Sequence, residues 1–311
     1  MDFNTIFLLI FGLIVLIIGG NLLLKSAVSI SMKFGIPRLL IGMTVVSLAT
    51  SAPELIVSIK SAIKGSPDLA ISNVLGSNIA NLGLVLGITI LFSPINISKS
   101  VYKKEWPIMM FSALYFLIVI LDGVVTKIEG SILVCFLILT IISLIKLRDK
   151  NEVEDQLENE DSIIKSIIIL FFGGIFLFYG SEWFIDGAIQ LANSFGVSER
   201  IIGITVVSVG TSIPELVTSL VAVFNKEKSI SLGNLLGSNI FNVFAVLGIT
   251  SLVTPLSVLD QNIIDFDIYV MLFFAALILP LIFFPKKLVL GRKEGLIILL
   301  FYSFYLFNLF Y

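Results

Sequence analysis

A short polar cassette occurs twice in this chain, each time inside an apolar stretch of membrane-spanning length. The first copy reads GMTVVSLATSAPELIVSI (42–59) and continues as SNVLGSNIANLGLVLG (72–87). The second reads GITVVSVGTSIPELVTSL (203–220) and continues as LGNLLGSNIFNVFAVLG (232–248). Matched residues lie 161 positions apart: Thr50 and Thr211, Ser51 and Ser212, Pro53 and Pro214, Glu54 and Glu215, Ser77 and Ser238, Asn81 and Asn242. A carboxylate at lipid depth beside a helix-breaking proline is an expensive arrangement. Its presence in both copies points to a positively charged occupant.

The chain has 311 residues, of which 57% are hydrophobic and only 14% charged, and its mean hydropathy is +1.08. That composition belongs to a polytopic membrane protein with little beyond its spans, whose partner is the lipid bilayer. The formal charge of -2 selects no partner. Basic residues fall in short clusters between apolar runs, so nucleic-acid binding has no support. Cys135 is the single cysteine, which excludes an intrachain disulfide, and there is no histidine, the usual metal ligand and near-neutral proton carrier. The opening MDFNTIFLLIFGLIVLIIGG lacks a basic segment and a small-residue cleavage site, and reads as a first transmembrane helix.

Apolar stretches of spanning length fall near 5–30, 39–63, 69–93, 107–123, 127–147, 165–190, 201–224, 229–253, 267–284 and 294–310. The expected fold is therefore an all-α integral membrane protein of about ten transmembrane helices in two five-helix repeats, with discontinuous ion-binding helices. Five spans per half is an odd number, so the second half enters the membrane from the opposite side. The expected division is a first inverted repeat over 1–147, an acidic linker over 148–164 and a second inverted repeat over 165–311. Gly19 matching Gly180, and Phe34-Gly35 matching Phe195-Gly196, extend the duplication beyond the cassette. Lys33, Arg38, Lys99, Lys103, Lys104, Lys146, Arg148, Lys150, Lys165, Lys226, Lys228, Lys286, Lys287, Arg292 and Lys293 share one side if the spans alternate. The other side holds little beyond Lys64, Lys127 and Arg200. The positive-inside rule then places both termini outside a cell membrane and the linker in the cytoplasm. The linker LRDKNEVEDQLENEDS reads as a solvated connection, too short to fold alone.

Pro53 has no N–H for the carbonyl of Ala49, and Pro214 none for Gly210. In lipid such carbonyls must find protein, water or an ion. Alone, each proline reads as a kink; beside a buried glutamate, the carbonyls around 47–50 and 208–211 become candidate ligands. Helical spacing puts Ser47, Thr50, Ser51, Glu54 and Ser58 on one face, and Ser208, Thr211, Ser212, Glu215 and Ser219 on its twin. Asn73, Ser77 and Asn81 recur every four residues, as do Asn234, Ser238 and Asn242. Hydroxyl and amide stripes often serve only to join helices, a reading that suits Ser58, Ser219, Asn73 and Asn234.

Glutamates resist that reading, because a carboxylate in an apolar interior is shifted by ~3–5 pKa units, about 4–7 kcal/mol. No arginine or lysine lies in either cassette. Two bidentate carboxylates and two backbone carbonyls supply about six hard oxygens, within the ~6–8 that calcium accepts. Zinc, copper and nickel fit poorly, calcium, sodium and potassium well. Hydroxyls and amides nearby suit smaller sodium sites. Gly42, Gly76, Gly83, Gly87, Gly203, Gly237 and Gly248 are expected to let helices pack closely around the polar centre.

At these residues, GTSIPEL with LGSNIFN and the twin ATSAPEL with LGSNIAN, the chain resembles the calcium/cation antiporter superfamily, and within it the prokaryotic sodium/calcium exchangers. The resemblance covers essentially the whole chain. It implies Ca2+ held by Glu54, Glu215 and backbone oxygens at Thr50 and Thr211. It implies Na+ sites sharing those glutamates with Ser51, Ser77, Ser212 and Ser238 and with backbone oxygens near Ser47 and Ser208. It implies alternating access by sliding of the first and sixth helices, three Na+ against one Ca2+, no cofactor and no obligate protein partner. Such exchangers often carry an acid where Asn242 stands, and the potassium-dependent branch usually has one at the position of Asn81. Both are asparagine here, so two carboxylates remain. A Ca2+/H+ antiporter using the same glutamates is the alternative. An intramembrane enzyme lacks support, since there is no HExxH and no aspartate pair near a glycine-rich motif within the spans. A passive channel is the third class, distinguished by conduction without a counter-ion.

Overall fold

The computed structural model describes residues 3–146, 162–194 and 208–310. Residues 148–161 of the linker, Phe195, Gly196, Arg200 and Gly203 lie outside them, as does the side chain of Ser208. The chain order is α1 (Phe3–Phe34), α2 (Arg38–Thr50), α3 (Ala52–Ile63), α4 (Pro67–Phe92), β1 (Ile95–Asn96), α5 (101–120), β2 (Val124–Val125) and α6 (Lys127–Lys146). It continues as α7 (Ile163–Ser194), α8 (Ser208–Gly210), α9 (Ile213–Phe224), α10 (Lys228–Val253), β3 (Leu256–Ser257), α11 (Ile263–Phe283), β4 (Val289–Leu290) and α12 (Arg292–Phe310). Among the described residues α1, α4, α6, α7, α10 and α11 are each long and apolar enough to cross a membrane. The expected span 39–63 is two helices, α2 and α3, and the described part of 201–224 is likewise α8 and α9. The fold is the all-α membrane protein expected, apart from four short strands among the described residues.

The chain divides into two compact units: residues up to Thr50 with 148–234, and Ser51–Leu147 with Leu235–Leu309. In the first, α1 and α7 run antiparallel. Gly12 lies against Gly180 and Phe184, Gly19 against Gly173 and Leu177, and Gly187 against Leu9. The repeat exchanges these contacts, since Gly12 and Gly173 are 161 positions apart and so are Gly19 and Gly180. A Cβ on Gly12 would come 2.6 Å from the Phe184 nitrogen, and one on Gly180 2.8 Å from that of Leu16. Lipid tails are as apolar as leucine, so close backbone approach and dispersion, rather than escape from water, hold such a pair. Leu16 and its counterpart Leu177 are fully buried there, whereas Phe7, Ile10, Ile14 and Ile17 face outward. Ser26 donates to the Ser166 carbonyl (2.5 Å) and Thr5 to Gln190 Oε1 (3.0 Å), closing the two ends of the seam.

In the second unit the strands reveal the direction of each half. β1 pairs antiparallel with β4, and β2 with β3. Helix α5 runs from β1 to β2, and α11 from β3 to β4, so these equivalent helices pass each other in opposite directions. The halves are therefore inverted. Trp106 Nε1 donates across the pair to the Ala275 carbonyl (2.8 Å). The same exchange recurs at glycines: Gly87 meets Gly295, and its counterpart Gly248 meets Gly130. Gly76 does not follow the expectation of close packing, because a Cβ there would meet nothing within 4 Å. Lys99, Lys103, Lys104, Lys286, Lys287, Arg292 and Lys293 flank the β1–β4 end. At the β2–β3 end, Asp68 accepts the N–H groups of Leu259 (2.7 Å) and Asp260 (3.1 Å).

Candidate functional site

The local sequence explains where the cassette helices break. Ser51 (φ -83°, ψ 3°) and Ser212 (φ -88°, ψ 4°) leave the helical region, and helix resumes one residue later. Pro53 and Pro214 thus occupy the first turn of a new helix, where a missing N–H costs nothing. The prolines mark a restart rather than a kink in a continuous helix.

That restart sets the electrostatics. Glu54 and Glu215 each stand in the first turn of their helix, where the helix dipole places positive potential. Both side chains are fully buried (0% exposed). The dipole contributes up to ~2 kcal/mol to a carboxylate in such a position. This is below the several kcal/mol that burying an ion costs.

In the first unit Ser47 and Thr50 are buried on α2, which packs against α9, the helix that carries Glu215. Ser47 Oγ donates to the Gly42 carbonyl (2.9 Å), and Thr50 Oγ1 to the Ser47 carbonyl (3.3 Å) and Asn234 Oδ1 (3.1 Å). Their hydroxyl protons are thereby used within the protein. Ser212 is buried with no hydrogen bond to its hydroxyl, and Thr211 is half-buried.

In the second unit α3 packs against α4 and against the 242–247 turn of α10. This brings the helices of Glu54, Ser77, Asn81 and Asn242 together. Ser77, Asn81, Ser238 and Asn242 are all buried, at no more than 1% exposure. Asn81 and Asn242 each open a π-helical turn, Asn81–Val85 and Asn242–Leu247, a local widening frequent at functional sites. The Ser51 hydroxyl, both polar atoms of the Asn81 amide and Oδ1 of Asn242 have no hydrogen bond. Buried polar atoms are ordinarily satisfied, so these bare atoms mark α3, α4 and α10 as a candidate site. Asn73 instead donates to the Glu54 carbonyl (3.1 Å) and Ser58 Oγ (2.9 Å), the joining role expected of that pair.

Asn78 and Asn239 escape the sequence reading. Asn78 donates to the Asn239 carbonyl (3.3 Å) and accepts from Asn242 Nδ2 (3.1 Å). Both lie one residue off the four-residue stripe, and their duplication at the 161 offset was the available signal.

Comparison with known proteins identifies the family. The family profile described as Sodium/calcium exchanger protein matches residues 4–146 and 165–311. The sodium/calcium exchanger MaX1 of Methanosarcina acetivorans is 32% identical over 345 residues, covering 98% of each chain. The inner membrane protein YrbG of Escherichia coli is 33% identical over 301 residues, covering 94% of this chain and 92% of that one. A solved structure of the sodium-calcium exchanger NCX_Mj superposes with a TM-score of 0.84 at 29% identity, over 99% of this chain and 100% of the other. The chain belongs to the sodium/calcium exchanger protein family, within the prokaryotic calcium/cation antiporters.

Proposed function

We propose that this cation antiporter exchanges Na+ for Ca2+ by alternating access, normally exporting Ca2+ at the expense of the inward sodium gradient. The observation that carries the reading is the pair of glutamates, Glu54 and Glu215, each fully buried in the first turn of a restarted membrane helix. In this reading they hold Ca2+ with backbone oxygens of Thr50 and Thr211. Na+ uses the same carboxylates with Ser51, Ser212, Ser77, Ser238, Asn81 and Asn242, and with backbone oxygens near Ser47 and Ser208. Each carboxylate thus gains a counter-charge in every loaded state, which is what permits the cycle. The names of MaX1 and NCX_Mj, both sodium/calcium exchangers, support Na+ as the coupling ion.

The linker 148–164 separates the two repeats, 1–147 and 165–311, and lies in the cytoplasm with both termini outside. The basic residues flanking β1 and β4 support this orientation. The family profile leaves residues 147–164 unmatched, which supports the division.

Radioactive calcium uptake into proteoliposomes under separately imposed sodium, potassium and proton gradients tests the coupling. Uptake is expected to follow the sodium gradient with the pH gradient collapsed. Uptake that ignored sodium and tracked pH would instead select Ca2+/H+ exchange through the same two glutamates.

A further inference from the structure

The buried amides of α4 and α10 carry an order that the duplicated sequence does not. Asn78 and Asn239 are counterparts, as are Asn81 and Asn242, so a symmetric network would treat each pair alike. Instead Asn78 Nδ2 donates to the Asn239 carbonyl (3.3 Å), and Asn242 Nδ2 donates to Asn78 Oδ1 (3.1 Å). Asn239 Nδ2 turns back to the Leu235 carbonyl of its own helix (2.8 Å), and the Asn81 amide makes no hydrogen bond.

A backbone carbonyl can only accept. The atom that Asn78 sets against it must therefore be the amide nitrogen. This leaves Oδ1 of Asn78 facing Asn242, which must in turn answer with its own nitrogen. Oδ1 of Asn242 is then the atom left over, and it is buried without a partner. A main-chain group on Asn242's own helix, acting through Asn78 of α4, thus decides which end of the Asn242 amide is offered.

We propose that Asn78 is a positioning residue that locks Asn242 with its oxygen available to the cation, while Asn81, held by nothing comparable, is the adaptable ligand of the pair. The inference rests on reading Asn81 and Asn242 as ligands. A flipped Asn242 would present N–H groups to a cation and repel it. The lock matters here because the residue is an amide: a carboxylate has oxygen at both ends and needs no orienting.

The test is a mutant cycle read as the calcium concentration giving half-maximal sodium-driven uptake in proteoliposomes. In the native background Asn78→Ala and the volume-preserving Asn78→Leu should each raise it about tenfold, equivalent to ~1.4 kcal/mol. In the Asn242→Asp background the same substitutions should change it by less than about threefold. Asn239→Ala, which keeps the carbonyl that Asn78 uses, should also stay within about threefold. Equal losses in both backgrounds would overturn the proposal and leave Asn78 a packing residue. So would an equal loss for Asn239→Ala, or failure of both Asn78 variants to accumulate in the Asn242→Asp background, where orientation no longer matters. If Asn242→Asp alone left calcium affinity and pH profile unchanged, position 242 would not face the ions, and the ligand reading itself would fall.

Discussion

The side-chain amide of Asn73 donates to the backbone carbonyl of Glu54 across 3.1 Å, and to Ser58 Oγ across 2.9 Å. The turn that carries a buried carboxylate is thus fastened to α4 by a side chain that is not itself a ligand. Asn73→Ala removes two hydrogen bonds of about 0.5–1.5 kcal/mol each. Thermal unfolding in detergent should register that loss, and half-saturating calcium should rise with it. A variant with native melting temperature and native affinity would show that the fastening is incidental.

The seam between α1 and α7 predicts opposite signs for adjacent glycines. A Cβ on Gly173 would fall 2.9 Å from the Leu23 nitrogen and 3.1 Å from the Gly19 carbonyl, whereas one on Gly174 would meet nothing within 4 Å. Gly173→Ala should destabilise by about 1–3 kcal/mol through overpacking. Gly174→Ala should be neutral or stabilising by up to ~1 kcal/mol, because alanine is the better helix former. Melting temperatures of the two variants in one detergent decide it, and equal shifts would contradict the packing described.

Arg38 at the start of α2 pairs with Glu227 in the turn before α10, at 2.5 Å, with side chains 22% and 14% exposed. The counterparts of these residues are Glu199 and Ser66, so sequence symmetry does not supply a second such pair. A double-mutant cycle with Arg38→Ala and Glu227→Ala should give a coupling of about 1 kcal/mol that weakens as salt is raised. Coupling within error of zero at low salt would mean that the contact contributes only geometry.

Much of this architecture was legible because lipid imposes simple rules. Apolar length marked the spans, and an odd number per half implied the inversion that the β1–β4 and β2–β3 pairings display. The paired glutamates stood out as ions in apolar sequence, and their burial follows. The prolines pointed to discontinuous helices, and Ser51 and Ser212 do end one helix and start another. The polarity of the Asn78–Asn242 relay was invisible, because an amide has two chemically opposite ends and only a neighbouring carbonyl selects between them. Gly76 looked like its packing neighbours in sequence, yet a Cβ there would meet nothing within 4 Å.

The most direct test of the account is sodium-driven uptake of radioactive calcium into proteoliposomes, with the pH gradient collapsed, for the native chain beside Glu54→Gln and Glu215→Gln. Glutamine keeps the volume and removes the charge. The account predicts robust uptake by the native chain and loss of uptake in each variant, with the variants folded and correctly inserted. Native-level calcium uptake by either glutamine variant would contradict it.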